Sequence, residues 1–260
     1  MVPDDRALIL AGSFGRAAPA YAEHRPDYAR AAVQWVLDAA PGLRVLDLGA
    51  GTGKLTAVVA ELGADVVAVE PDPAMRAELR REQPGVRAPA GSAESIPLPD
   101  SSVDAVLAGN AMHWFDLDVA GSEIARVLAP GGVLAGLWNV LDDRVDWVAG
   151  LGRVSGPAAI GPRDTVGRWR AATAGLLPSQ GHTFDDVQTA EFAHGQRRTA
   201  DSLVATLATR AGVLVLPAAD RTELLRRIRS YLAAQPETAE GEFTVPMATG
   251  VLRARRRDRA

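Results

Sequence analysis

The order of apolar and polar positions predicts that strands and helices alternate along the first half of this 260-residue chain. Nearly continuous apolar runs, typical of strands buried on both faces, recur at intervals, and stretches of helical periodicity separate them. The predicted strands are residues 45–48, 66–69, 103–107 and 133–138, with a shorter candidate at 86–88. This order predicts an α/β fold in which helices cover both faces of a mostly parallel sheet.

The pattern is weaker beyond residue 138, where glycine is frequent and no strong strand is predicted before residue 184. Helices are predicted at 200–211 and 217–234, and strands at 184–192 and 242–252. The length suits one domain with additions. We divide the single domain 1–260 into an N-terminal arm and helix (1–40), a nucleotide-binding core (41–138), a helical cap insertion (139–183) and a C-terminal segment that completes the sheet (184–260).

A glycine-rich loop follows the first predicted strand, and an acid, Asp47, precedes it. Glycine recurs at every second position, Gly49, Gly51 and Gly53, and a helical pattern begins directly afterwards. A dinucleotide loop needs its third glycine one residue later, and a phosphate-binding P-loop needs serine or threonine where Leu55 stands. A carboxylate here repels a pyrophosphate but accepts hydrogen bonds from the ammonium group of a bound amino acid. The alternative is a tight strand-to-helix turn that happens to be rich in glycine.

A second acid, Glu70, ends the second predicted strand about 20 residues beyond the glycine loop. A carboxylate at this position accepts hydrogen bonds from a ribose diol, so it supports a nucleoside ligand without identifying it. Asp72 is expected to cap the helix that begins at Pro73. Met75 on that helix is expected to pack against a ligand ring or, alternatively, in the core.

Composition excludes several classes of function. The net charge of −4 argues against a nucleic-acid substrate, because proteins that bind nucleic acid usually carry a basic surface. The absence of cysteine excludes a disulfide framework, a thiolate metal site, a cysteine nucleophile and an iron–sulfur cluster. No acidic triplet indicates a metal site. No apolar run is long enough to span a membrane, and the N-terminus lacks signal-peptide features, so we expect a cytoplasmic protein.

Several motifs resemble those of class I S-adenosyl-L-methionine (SAM) dependent methyltransferases: Asp-x-Gly-x-Gly-x-Gly at 47–53, Glu70, and Leu-Ala-Pro-Gly-Gly-Val-Leu at 128–134. His-Trp-Phe at 113–115 and Tyr-x-x-x-Arg-Pro-x-Tyr at 21–28 are similar to the UbiE/BioC-like branch (methyltransferase type 11), near trans-aconitate methyltransferase-like proteins. The resemblance implies a Rossmann-like fold with a seven-stranded, mostly parallel sheet, a reversed last strand and an N-terminal lid.

The resemblance also implies which residues bind SAM and release S-adenosyl-L-homocysteine. Arg25 on the lid would pair with the methionine carboxylate, and Tyr21 would lie near the methyl group; alternatively, both are ordinary surface groups. Ser92 departs from the family, in which an acid often accepts from the adenine amino group. The implied cofactor-binding residues are Tyr21, Arg25, Asp47, Gly49, Ala50, Gly51, Thr52, Gly53, Glu70, Pro71, Met75, Ser92, Ala93, Glu94, Asn110 and Ala111.

The implied substrate pocket is lined by Tyr28, His113, Trp114 and Trp138. His113 is the candidate general base, although proximity alone can carry methyl transfer, which leaves a structural role open. We expect methylation of a small molecule, preferably at a hydroxyl or carboxylate oxygen. The alternatives are a non-catalytic SAM-binding scaffold and a dehydrogenase, which the glycine spacing disfavours. We expect a monomer or a homodimer with no nucleic-acid or membrane partner.

Overall fold

One mixed sheet of six strands organises residues 25–176 and 183–257, which are the residues that this computed structural model describes. In chain order the strands are β1 (Arg44–Leu48), β2 (Asp65–Val69), β3 (Val103–Gly109), β4 (Leu128–Leu141), β5 (Phe184–Arg198) and β6 (Phe243–Arg256). They lie in the order β2-β1-β3-β4-β6-β5. The pairs among β1 to β4 are parallel, and β6 is antiparallel to both of its neighbours. The predicted mostly parallel sheet with a reversed last strand is therefore confirmed.

The expected seventh strand is not confirmed in the described residues. The candidate segment 86–88 contributes a single parallel bridge, in which Arg87 pairs with Val67. The Arg87 carbonyl accepts from the Ala68 N–H at 3.0 Å. Pro84 and Pro89 flank this segment, and Pro89 has no N–H with which to extend a ladder, so the pairing stops after one bridge.

Nine α-helices and one 3₁₀ helix (Met112–Trp114) accompany the strands within the described ranges. The α-helices are α1 (Arg30–Leu37), α2 (Lys54–Glu61), α3 (Pro73–Glu82), α4 (Leu117–Val127), α5 (Asp146–Ala159), α6 (Trp169–Thr173), α7 (Ala200–Ala208), α8 (Ala211–Leu214) and α9 (Ala218–Ala233). Asp72 caps α3 as predicted, accepting from the backbone N–H groups of Ala74 and Met75 at 2.8 and 3.0 Å. The N-cap of α1 is Ala29, and the carboxylate of Asp27, two residues earlier, lies 3.3 Å from the Lys54 ammonium.

Apolar side chains pack on both faces of the sheet. Successive residues of β1 point to opposite faces, so Val45 joins the cluster under α1 and α2, whereas Leu46 joins the cluster under α4 and α6. The second cluster contains Trp138 and Trp169, whose rings stack with centroids 6.1 Å apart. The expectation of helices on both faces is confirmed.

Strands β4 and β6 extend beyond the end of the parallel strand β3. Gly109 at the end of β3 pairs with Leu137, whereas β4 continues to Leu141 and stays paired with β6. Four helices, α5, α7, α8 and α9, cover this extension through a third apolar cluster that includes Leu141 and Met247. The cap thus combines helices from both sides of the predicted boundary at 183/184. None of the helices in the two described ranges is both long and apolar enough to cross a membrane.

Candidate cofactor and acceptor site

A cavity of about 290 Å³ opens where the sheet changes direction. β1 and β3 are neighbours, and the chain leaves them towards opposite sides of the sheet, so the loops that follow them part and leave a crevice. The glycine loop after β1 forms one wall of this cofactor cavity, and the turn after β3 forms another.

Most of the predicted cofactor residues come together in this cavity. The predicted residues that line it are Asp47, Gly49, Ala50, Gly51, Thr52, Glu70, Pro71, Met75, Ser92, Ala93, Glu94, Asn110 and Ala111. Gly53 is the N-cap of α2 instead, and Arg25 lines a neighbouring cavity. Tyr21 lies outside the described residues.

Other lining residues were missed or assigned elsewhere. The cofactor cavity is also lined by Lys54, Asp72, Gly109 and Phe115, each adjacent in the sequence to a predicted site residue, and by Leu55, one position beyond Lys54. Tyr28, expected in the substrate pocket, also lines the cofactor cavity. Its hydroxyl accepts from the Asn110 side-chain amide at 3.1 Å and lies where a side chain on Gly109 would start. That close approach across the sheet edge could not be inferred from spacing.

Two glycines of the loop serve different purposes. Gly49 has φ 70°, and a Cβ there would lie 2.8 Å from the Cβ of Ala111, so it permits the loops after β1 and β3 to touch. Gly51 has φ 58° and would meet nothing within 4 Å, so its bare backbone faces open space. That space is available to a ligand.

We expect Gly49→Ala to lower the free energy of unfolding by about 2–4 kcal/mol, because it adds a steric clash to a left-handed backbone. Chemical denaturation measures this change. Gly63→Ala is the matched control, since Gly63 has φ 83° but open space around it, and we expect only the backbone cost of about 1–2 kcal/mol. Equal losses in the two variants would contradict the assigned contact with Ala111.

Asp47 is a buried carboxylate with one unsatisfied oxygen. Its Oδ2 accepts from the Thr56 hydroxyl at 2.6 Å, while Oδ1 has no hydrogen-bond partner among the described residues. Burial raises the pKa of Asp47 to about 7; the Thr56 bond opposes the shift and the nearby Glu70 carboxylate adds to it. An orphaned carboxylate oxygen in a cavity wall is matched by a cationic donor such as an ammonium group.

Glu70 joins the end of β2 to the glycine loop. Its Oε2 accepts from the Gly51 N–H and its Oε1 from the Asp72 N–H, each at 2.8 Å. Burial raises the pKa of Glu70, and these two backbone bonds counteract the shift. Each carboxylate oxygen keeps a lone pair for a further donor, so the side chain can hold a diol while it fixes the loop.

The far end of the cofactor cavity is apolar on one side and polar on the other. Met75, 4% exposed, and Phe115 supply apolar surface for a flat ring. Ser92 closes a tight turn through reciprocal backbone bonds with Ser95 at 3.3 Å. Glu94 accepts from the Asp116 N–H at 3.0 Å, which ties this turn to the segment after β3.

A second cavity, of about 580 Å³, lies between the turn after β3 and the cap. We call it the acceptor cavity. It shares two lining residues, Asn110 and Trp114, with the cofactor cavity. Three of the four predicted substrate-pocket residues, His113, Trp114 and Trp138, line it. Asn110, which separates the two spaces, has φ 50°, a left-handed conformation that asparagine tolerates better than most residues.

Arg25 lies on the acceptor side. It is 8% exposed, and its Nε and Nη2 donate to the hydroxyl and the carbonyl of Thr209 at 3.1 and 3.2 Å. Its predicted pairing with a methionine carboxylate remains a prediction.

His113 is held as a neutral imidazole. The Trp138 indole N–H donates to His113 Nδ1 at 3.4 Å, which places the ring proton of the neutral form on Nε2. Burial, helped by the charge of Arg163 and opposed by Asp164, lowers the pKa of His113 to about 3. Its basic nitrogen is therefore occupied, and the side chain is better suited to donating a hydrogen bond than to accepting a proton.

We expect the His113 ring to stay neutral between about pH 5 and pH 8, where an ordinary histidine titrates. Ring ¹⁵N chemical shifts of the labelled protein measure this directly, with His113→Gln used to assign the signal. Titration of His113 near its ordinary pKa of 6.5 would contradict the burial and the Trp138 bond described above.

Comparison with known proteins agrees with this geometry. A family model described as a methyltransferase domain matches residues 46–136. An uncharacterized methyltransferase of Mycobacterium tuberculosis is 43% identical over 243 residues, which are 93% of this chain and 95% of that protein. A malonyl-[acyl-carrier protein] O-methyltransferase of Enterobacter lignolyticus is 38% identical over 138 residues, 52% of this chain and 55% of that protein.

A solved structure supports the same assignment. A candidate type II methyltransferase from Anaeromyxobacter dehalogenans superimposes with a TM-score of 0.63 at 28% identity, covering 89% of this chain and 97% of that one. Similarity to a methyltransferase extends over nearly the whole chain, and the protein therefore belongs to the class I SAM-dependent methyltransferases.

Proposed function

We propose that this protein transfers the methyl group of SAM to a small-molecule acceptor, preferably to a hydroxyl or carboxylate oxygen. The observation that carries the proposal is the pair of cavities that meet at Asn110 and Trp114. One contains the acids and glycines suited to a nucleoside amino acid. The other has a volume within the range of about 300–1,000 Å³ that is typical of small-molecule sites.

The residues of the cofactor cavity fit the chemistry of SAM. Asp47 Oδ1 would accept from the ammonium group, and Glu70 from the ribose hydroxyls. Met75 and Phe115 would pack against the adenine ring. When bound, SAM supplies an already activated methyl group, so the protein needs mainly to align the acceptor and exclude water.

The lack of a strong base among the described residues of the acceptor cavity supports a carboxylate rather than a hydroxyl as the acceptor, because a hydroxyl would have to lose a proton. His113 has its pKa lowered to about 3, and the Asp164 carboxylate is paired with Arg210 at 2.8 Å. A carboxylate acceptor is already ionised at neutral pH and needs no base. The similarity to a named O-methyltransferase over about half of the chain supports methylation at oxygen.

Calorimetric titration with SAM and S-adenosyl-L-homocysteine, with NADH as the control, tests the cofactor. We expect binding of the first two and none of NADH. Metabolite acceptors can then be screened by the mass shift of one added methyl group. Binding without turnover on any acceptor would favour a non-catalytic SAM-binding scaffold. Binding of NADH alone would contradict the proposed function.

A further inference from the structure

The acceptor cavity collects more positive than negative charge. Three guanidinium groups line it, those of Arg25, Arg163 and Arg210. Asp164 is the one carboxylate among the described residues that line it. His113 adds no charge near neutral pH, because its pKa is lowered to about 3. Like charges gathered in one cavity repel each other unless an anion separates them.

Arg210 lines the cavity and carries an unsatisfied donor among the described residues. Its side chain is 14% exposed, and its Nη1 lies 2.8 Å from the Asp164 carboxylate. Its Nε is buried and has no hydrogen-bond partner within the described ranges. A buried donor that is left unsatisfied costs free energy, so a ligand that reaches this edge of the guanidinium recovers that cost.

Asp164 has limited capacity to neutralise a further cation. Its Oδ2 accepts from the Gly161 N–H at 2.7 Å, and its Oδ1 already receives Arg210. The described residues provide no hydrogen bond or ion pair for the guanidinium of Arg163. Within the described part of the chain, the positive charge of Arg163 at the cavity wall is therefore not compensated.

The segment that carries Arg163 is fixed to the sheet. Leu141 at the end of β4 donates to the Asp164 carbonyl at 2.8 Å and accepts from the Val166 N–H at 3.0 Å. A parallel bridge between Leu141 and Thr165 results. These contacts fix the backbone of the segment at the cavity wall before any ligand arrives, so that binding has to order only the side chain of Arg163.

We propose that the acceptor cavity binds an anionic group of the acceptor, a carboxylate or a phosphate, through the guanidinium groups of Arg163 and Arg210. The inference rests on the function proposed above and narrows its substrate class. The planar, multiply donating guanidinium matches either anion. With the anion held by these two arginines, the reacting end of the acceptor faces Asn110 and Trp114, where the two cavities meet.

The test uses the full chain saturated with S-adenosyl-L-homocysteine, at low ionic strength. Succinate and inorganic phosphate are the anionic probes, and succinamide is the neutral control of similar shape. Calorimetry should detect binding of at least one of the two anions, and the affinity should fall as salt is added. It should detect no binding of succinamide. Binding of succinate alone assigns a carboxylate, and binding of phosphate alone assigns a phosphate.

Arg163→Gln should weaken binding of the anionic probe by about tenfold or more, because it removes a charged donor. It should leave the fold intact, since Arg163 has no hydrogen bond or ion pair to a described residue. Arg168→Gln is the matched control: it removes the same charge from the same segment, but Arg168 is exposed and does not line the cavity. We expect it to bind the anion like the unaltered protein.

Three results would overturn the inference in a protein that still binds S-adenosyl-L-homocysteine. The first is no detectable binding of either anion. The second is succinamide binding as tight as that of succinate. The third is an equal loss of anion affinity in Arg163→Gln and Arg168→Gln. Failure to bind S-adenosyl-L-homocysteine at all would instead contradict the proposed function. The two failures are therefore distinguishable in one series of titrations.

Discussion

Asp47→Asn is expected to weaken SAM binding by about 10- to 100-fold while leaving the affinity for 5′-methylthioadenosine nearly unchanged. The physical reason is the Oδ1 atom, which is buried and without a partner among the described residues. An ammonium group would satisfy it, and 5′-methylthioadenosine has no amino-acid part. Calorimetry with both ligands measures the difference. Asp65→Asn, at the exposed start of β2, is the control and should change neither affinity.

The same substitution has a consequence for stability that depends on pH. Burial raises the pKa of Asp47 from 3.8 to about 7, so the folded protein disfavours the ionised form. The resulting cost of folding is absent below the unfolded pKa of 3.8, grows as the pH rises from there to about 7, and is constant at higher pH. Asp47→Asn removes that cost. Its stability relative to the unaltered protein should increase by about 2 kcal/mol between about pH 5 and pH 8. A stability difference between Asp47→Asn and the unaltered protein that does not vary with pH would contradict the raised pKa of Asp47.

Glu70→Ala is expected to weaken binding of SAM and of 5′-methylthioadenosine alike, by about 10-fold or more, because both ligands contain the ribose. It should also destabilise the free protein by about 1–3 kcal/mol, since the N–H groups of Gly51 and Asp72 lose their shared acceptor. Glu70→Gln keeps one acceptor oxygen, so its ligand affinity and its stability should lie between those of Glu70→Ala and those of the unaltered protein. Loss of SAM affinity with unchanged 5′-methylthioadenosine affinity would contradict the ribose assignment.

The cofactor side of the molecule was predictable because its signals are local. A buried strand, a glycine loop and a helix follow one another within residues 45–61, and Glu70 ends the next strand. Parallel strands bring such ends to one edge of the sheet, so the cavity follows from the order of elements. The segment 86–88 shows the limit of this reasoning, since its apolar pattern is typical of a strand but the flanking prolines prevent one.

The acceptor side was not predictable in the same way. Its charged groups, Arg25, Arg163 and Arg210, are far apart in the sequence, and Arg163 belongs to a segment without a regular pattern. They meet because cap helices from two parts of the chain pack on the extended strands. Hydrophobic periodicity indicates that a helix is buried but not which partner it contacts. The place of Tyr28 in the cofactor cavity depended on a similar long-range contact, with Gly109 and Asn110.

The separate apolar cluster of the cap bears on how this protein can acquire new substrates. None of the buried residues of that cluster lines the cofactor cavity, whereas Ala158 and Leu216, which pack against it, line the acceptor cavity. Substitutions at such positions change the acceptor cavity while the apolar packing beneath the glycine loop stays intact. Mutational drift and directed evolution can therefore alter acceptor choice without sacrificing the methyl donor, and a library confined to 157–164 and 210–216 is the natural starting point.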